Sequence, residues 1–270
     1  MCKEKFVHVC FIIDESGSMT GSETDIIGGF NKTIEEQKDI EDGQCSVSFF
    51  SFDSEVKERF IGKDVNEVKK LTRGSCFGKY SSYSSKTTAI NSISVNGITD
   101  IDVKITEDEV DPLYQYSPGG GTAMNDAIAI AINRIGKWLS DMPEEERPSK
   151  NLIVIMTDGE ENSSREYTLA NVQEMIKHQA EKYNWTFVYM GMDITNKSTA
   201  DNLGITNRSF VSKSSDSLYK NYSNISNSVA CYRTSLNDIA TASATMDAYL
   251  SFELKADTTL YETEKGIKIE

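Results

Sequence analysis

Two short, almost unbroken apolar runs, each ending at an aspartate, constrain the fold of this chain more than any other feature. Phe6 to Ile13 reads FVHVCFII and stops at Asp14, while Leu152 to Met156 reads LIVIM and stops at Thr157-Asp158-Gly159. Runs this short and this apolar suit strands covered on both faces, the situation inside a parallel sheet. Cys45 to Phe52 (CSVSFFSF) and Trp185 to Gly191 (WTFVYMG) have the same character, and Arg208 to Ser212 reads as a last strand. Val56 to Ile61 follows Cys45 to Phe52 across a tight turn at Asp53-Ser54-Glu55, so it is expected to run antiparallel to it.

Helical spacing fills the intervals. Ile27, Phe30 and Ile34 mark one helix, and Met124, Ile128, Ala131, Ile135 and Trp138 form the apolar stripe of a second. Leu169, Val172, Met175 and Ile176 mark a third. Leu218, Tyr222, Ile225, Val229, Tyr232, Leu236 and Ile239 mark a long last helix. Strands alternating with helices imply an α/β domain, a parallel sheet with helices on both faces. Residues 62 to 117 break that rhythm. Gly74 to Thr88 is polar and rich in glycine and serine, Ile101, Val103 and Ile105 alternate, and Asn96-Gly97 is a hairpin turn. We read 62–117 as an insertion carrying a small β-hairpin within a domain of residues 1–250, with 251–270 as a C-terminal tail.

Composition narrows the function. A formal net charge of −14 argues against binding nucleic acid, which needs a basic face, and against anionic membrane surfaces. No run is long and apolar enough to cross a bilayer, and the N-terminal apolar run is short and ends in a charged loop rather than a cleavage pattern. Five scattered cysteines with no C-x-x-C pair suit free thiols in a reducing compartment rather than a disulfide framework or a zinc site. The expected setting is cytoplasmic: the host cytoplasm or a virion if the chain is phage-encoded.

Three loops carry the chemistry: Asp14-Glu15-Ser16-Gly17-Ser18 after the first strand, Gly119-Gly120-Gly121-Thr122 before the second helix, and Asp158-Gly159 after the LIVIM strand. All three can reach the carboxyl edge of the sheet, where ligands of open parallel sheets bind. Together they offer two carboxylates and three hydroxyls, an all-oxygen set suited to a hard cation such as magnesium. Two aspartates neutralise a divalent ion and the hydroxyls add no charge, so such an ion retains affinity for one more anionic oxygen.

Asp14-x-Ser16-x-Ser18, Thr122 after its glycines, and Asp158-Gly159, in this order, resemble the metal-ion-dependent adhesion site of von Willebrand factor A (vWA) domains. The resemblance covers roughly residues 5 to 248. It implies a doubly wound, mostly parallel six-stranded sheet of order 3-2-1-4-5-6, the third strand antiparallel at the edge. It further implies that Ser16, Ser18 and Thr122 touch a Mg2+ ion (or Mn2+ or Ca2+) directly, and that Asp14 and Asp158 act directly or through water. The partner is then a protein presenting an Asp or Glu to the metal. The stretch from Lys177 to Gly204 resembles small intracellular vWA proteins of bacteria and phages, including relatives of tellurite-resistance-associated proteins. The insertion departs from the shorter members of the family and enters just before the Thr122 loop, which places it near the metal face.

Other residues were weighed against this site. Glu15 reads as a solvated loop charge, Glu160 and Glu161 as acidic residues near a helix start, and Asp126 as a local hydrogen-bonding residue able to support the metal loop. A phosphatase using Asp14 as nucleophile would want a second carboxylate where Ser16 stands. A serine hydrolase would want a base near Ser16 or Ser18, and of the two histidines His8 is placed in the core and His178 on a helix surface. The G-x-S-x-G elbow and the P-loop lysine are both missing. The expectation is a binding module, not an enzyme. The alternatives are an assembly component (of a virion, for instance) with a stabilising metal site, and a metal-assisted hydrolase.

Overall fold

The run from Phe6 becomes the central strand because its side chains alternate between two apolar layers. The computed structural model describes residues 2–74, 111–192, 197–210 and 215–234, with further helical positions at 241, 244, 245 and 248. Strand β1 is Lys3–Asp14, β2 Gln44–Phe52 and β3 Val56–Asp64. Strand β4 is Pro148–Thr157, β5 Thr186–Gly191 and β6 Asn207–Phe210. They form one six-stranded sheet in the order β3-β2-β1-β4-β5-β6. All neighbours pair in parallel except β2 and β3, which are antiparallel. This is the doubly wound α/β sheet expected.

Helices α1 (Glu23–Lys38) and α5 (Ser215–Thr234) cover one face, and α2 (Met124–Asp141) and α3 (Leu169–Tyr183) the other. Val7, Val9, Phe11 and Ile13 enter the first layer with Phe30, Tyr222 and Ile225, whereas Cys10 and Ile12 enter the second with Ile128, Ile132 and Val172. A strand buried on both sides has no polar face, which is why the run is unbroken. The edge strand β3 is different: Lys57, Glu58, Arg59 and Lys63 punctuate it, and charge of this kind discourages pairing with another chain.

Helix α1 is fastened to α5 at close range. A β-carbon at Gly29 would lie 2.0 Å from the Tyr222 ring, so only glycine allows this approach. Tyr222 Oη in turn donates to Met156 Sδ at 3.4 Å. The buried Arg233 guanidinium closes the end of α1, donating to the Gln37 carbonyl at 2.6 Å and the Ile40 carbonyl at 2.9 Å, carbonyls that a helix end leaves without partners.

Three features differ from the sequence reading. Strand β3 runs on to Asp64, past Ile61, because Lys63 and Asp64 still pair with Val47 and Ser46. A short helix, α4 (Lys197–Leu203), precedes β6 and buries only Ala200 and Leu203, too few positions for a visible period. Thr72–Arg73 pairs in parallel with Gln115–Tyr116, a two-residue ribbon that closes the base of the insertion. The hairpin expected around Asn96-Gly97 and the tail from residue 251 lie outside the described residues.

His8 sits fully buried in β1, with Nδ1 2.9 Å from Ser46 Oγ, Nε2 3.2 Å from Ser48 Oγ, and its ring against Trp138. Burial lowers its pKa to about 3, against a weaker opposing effect from Ser46. The unfolded chain therefore takes up a proton below about pH 6.5 that the folded chain refuses. Stability is lost as pH falls from there towards 3, with a slope approaching about 1.4 kcal/mol per pH unit. Urea unfolding across that range is expected to give a difference between wild type and His8→Gln that changes with that slope, which isolates His8 from the other groups titrating there.

Candidate metal centre

The carboxyl ends of β1 and β4 lie side by side, and this brings the three loops together. Asp14 has no exposed surface. Its Oδ2 accepts from Thr157 Oγ1 at 2.7 Å and its Oδ1 from the Ser16 backbone N–H at 2.7 Å. Ser16 Oγ lies 2.9 Å from Ser18 Oγ, and Ser18 Oγ donates to Asp158 Oδ1 at 2.6 Å. A β-carbon at Gly159 would lie 3.0 Å from Thr122 Oγ1 and 3.6 Å from Ser18 Oγ, so Thr122 and Ser18 both border Gly159. All five residues named from the sequence thus converge, Asp14, Ser16 and Thr122 buried, Asp158 half-buried and Ser18 exposed.

Backbone bonds hold the loops in register. Gly17 N–H donates to the Gly120 carbonyl at 3.1 Å, Gly119 N–H to the Glu15 carbonyl at 2.7 Å, and Ala123 N–H to the Asp53 carbonyl at 2.7 Å. Gly120 has φ +85, a conformation that side-chain-bearing residues rarely adopt, and it lies against Asp53. The Tyr116 hydroxyl donates to the Asp14 carbonyl at 2.7 Å, tying the segment that leads into the Gly119 loop to the end of β1.

The donor chemistry fits a hard divalent cation. Among the described residues no group of three or more His, Cys, Asp or Glu could hold a metal, so a site here depends on hydroxyl oxygens beside its two carboxylates. Burial pushes the Asp14 pKa up to about 6, the hydrogen bonds from Thr157 and Ser16 working against it and the negative charge of Asp158 adding to it. The Asp14 carboxylate is buried and lies beside the negative charge of Asp158, an arrangement that a divalent cation would favour.

Sequence reasoning missed three contributors, Glu15, Glu161 and Thr157, and anticipated a fourth, Asp126, as a hydrogen-bonding support of the loop. Glu15 is not a solvated loop charge: it is fully buried, because Arg59 and Lys57 reach it from β3. Burial by itself would lower the Lys57 pKa, but Glu15 and Asp53 raise it above its ordinary value. Glu160 and Glu161 are not near the start of their own helix, since α3 begins at Leu169. Glu161 instead caps α2, its Oε2 accepting from Asn125 N–H at 2.7 Å. Asp126 accepts from the backbone N–H groups of Arg165, Glu166 and Tyr167 at 2.7–3.0 Å and so pins the loop after Asp158. Thr157, read only as a strand end, is the side-chain partner of Asp14. The pairings of Glu15 with Arg59, Glu161 with Asn125 and Thr157 with Asp14 carry no sequence signal, because they join residues 36 or more positions apart.

The vWF domain of the type V pili tip protein Mfa5 from Porphyromonas gingivalis superposes with a TM-score of 0.50 at 11% identity, over 86% of this chain and 97% of that one. The fold is that of a von Willebrand factor A domain. A von Willebrand factor type A structure from Catenulispora acidiphila gives 0.49 at 13% identity over 85% of this chain and 43% of that one. The manganese-loaded TRAP protein of Plasmodium vivax gives 0.43 at 14% identity over 81% and 73%. The chain spans only 43% to 61% of the length of several other matched structures. No family model and no curated protein sequence matches the chain.

The burial of the Asp14 carboxyl has consequences that can be measured. A carboxyl whose pKa is raised on folding is a burden above that pKa, and the burden is relieved as pH falls from about 6 towards its unfolded value of 3.8. Without metal at neutral pH, Asp14→Asn is expected to be more stable than wild type, by roughly 3 kcal/mol at most. The difference should shrink to nothing near pH 4 in urea titrations.

Proposed function

We propose that this chain is a protein-binding module that holds one divalent cation, magnesium or manganese, on Asp14, Ser16, Ser18, Thr122 and Asp158. When bound, the ion supplies an open coordination position for an Asp or Glu of a partner protein. The observation that carries this reading is the convergence of three loops, distant in sequence, on one linked set of oxygens at the carboxyl edge of the sheet. Asp14 and Asp158 balance the charge of the ion, and the three hydroxyls ligate without adding charge, which leaves an anionic oxygen welcome.

The surroundings support binding rather than catalysis. His8 is occupied by Ser46 and Ser48 inside the sheet, and His178 is exposed on α3, so neither serves Ser16 or Ser18 as a base. The net charge of −14 favours a partner whose acidic residue is surrounded by basic ones. The free thiols among the described cysteines support a reducing, cytoplasmic setting. We place the chain with the small intracellular bacterial and phage vWA proteins on the likeness of Lys177 to Gly204.

Calorimetric titration of metal-stripped protein with magnesium and with manganese tests the reading. One site in wild type is expected, lost in Asp14→Ala and weakened at least about tenfold in Ser16→Ala. Capture of an acidic partner should then be reversed by chelator. A partner held equally well in chelator, or by the Asp14→Ala, Ser16→Ala double variant, would sink the proposal.

A further inference from the structure

Glu15 stands between Asp14 and Ser16 in sequence, yet its carboxylate is directed into the protein and has no exposed surface. Its Oε2 accepts from Lys57 Nζ at 2.8 Å, Arg59 Nη2 at 3.0 Å and Ser51 Oγ at 3.1 Å, and its Oε1 from Arg59 Nη2 at 3.0 Å and Ser117 N–H at 3.3 Å. Arg59 is itself fixed, its Nε donating to Ser51 Oγ at 2.8 Å and its Nη1 to the Pro112 carbonyl at 2.8 Å. The Glu15 main chain is equally committed, its N–H donating to the Phe52 carbonyl at 2.6 Å and its carbonyl accepting from Gly119 N–H at 2.7 Å. One residue therefore touches β2, β3, the return of the insertion and the Gly119–Thr122 loop.

We infer that the Glu15–Arg59 pair is a positioning device for the metal centre: it locks the Ser16–Ser18 turn to the Thr122 loop, so that the hydroxyls face a cation before one arrives. This rests on the metal-binding reading above. The physical ground is that a buried charge is tolerated only where geometry and further hydrogen bonds satisfy it, so this cluster admits few alternative arrangements of the backbone attached to it. Isolated support of the fold would need only one such bond. Here the side chain and main chain of a single residue bind opposite ends of the 117–119 segment, which fixes where Thr122 starts.

The decisive variant is Glu15→Asp. It keeps the negative charge beside the site but shortens the reach by one methylene, enough to lose the Arg59 and Lys57 contacts. Glu58→Asp serves as control, because Glu58 lies on the same strand as Lys57 and Arg59 but pairs with Arg134 of α2. Manganese affinity is read by calorimetry and amide hydrogen exchange in the metal-free protein by mass spectrometry. Glu15→Asp is expected to weaken manganese binding by about tenfold or more, the scale seen when residues that orient metal ligands are removed. It should also speed exchange in segments 15–19 and 117–122 while leaving α3 unchanged, and Glu58→Asp should do neither. If Glu15→Asp unfolds, the Glu15→Gln, Arg59→Met double variant removes both charges and is read in the same way. Wild-type affinity in a folded Glu15→Asp or double variant, with exchange at 117–122 unaltered, overturns the inference while leaving the metal site standing. Failure of wild type to bind manganese or magnesium overturns both.

Discussion

A carboxylate without solvent at the end of the central strand is the constraint around which the rest of this molecule is arranged. Asp14 follows eight residues that are apolar almost throughout, because β1 is covered by helices on both faces. The strand must end where those layers end, and the first polar group beyond them inherits their dryness. Thr157 from β4 and the Ser16 N–H each supply one hydrogen bond, which offsets part of the desolvation but leaves the pKa at about 6. A group in that condition is a poor contributor to stability and a good receptor for a cation. The packing behind it matters equally: Met156, the residue before Thr157, receives the Tyr222 hydroxyl, and the Tyr222 ring packs directly against Gly29. The floor of the site is thus part of the α1–α5 packing rather than a free loop.

The two acidic neighbours in the first loop have been sorted by their surroundings. Asp14 has no cationic partner among the described residues, whereas Glu15, one position on, has two. The backbone makes the separation, since adjacent side chains of an extended segment point to opposite sides. Lys57 and Arg59 come from the antiparallel edge strand, whose register is set by the tight turn at Asp53. Were those cations aimed at Asp14, they would neutralise the charge that a metal needs. Directing them to Glu15 instead holds the loop to β3 and leaves Asp14 to hydrogen-bond donors only, Thr157 and the Ser16 N–H.

What the sequence made legible was whatever depends on period or on position at an element end. The four strands β1, β2, β4 and β5, the antiparallel β3, the stripes of α1, α2, α3 and α5, and the convergence of Asp14, Ser16, Ser18, Thr122 and Asp158 all followed from such patterns. The strand order did not: it came from the likeness of those site residues to a known family. Helix α4 and the ribbon of Thr72–Arg73 with Gln115–Tyr116 were invisible because seven residues and two residues are too short to show a period. The fate of Glu15 and Glu161 was misjudged for another reason. Glu15 reads as a solvated loop charge and Glu161 as an acidic residue near a helix start, and what holds each comes from far along the chain, Arg59 at 44 positions and Asn125 at 36.

Glu161 and Asp126 also resolve an electrostatic difficulty that the architecture creates. Helix α2 begins at Met124, two residues after Thr122, so its N-terminus lies close along the chain to the site. The unpaired N–H groups there carry a partial positive charge, suited to anions and repulsive to a cation. Glu161 takes the Asn125 N–H, and Asp126, in the first turn, places a second carboxylate against the helix start. Both also hold the loop that follows Asp158: Glu161 accepts from Ser163 and Ser164, and Asp126 from Arg165, Glu166 and Tyr167. Two carboxylates at the helix start oppose its partial positive charge, and the same bonds hold residues 163–167 after Asp158. The helix that gives the Thr122 loop its rigid base can therefore stand at a cation site instead of opposing it.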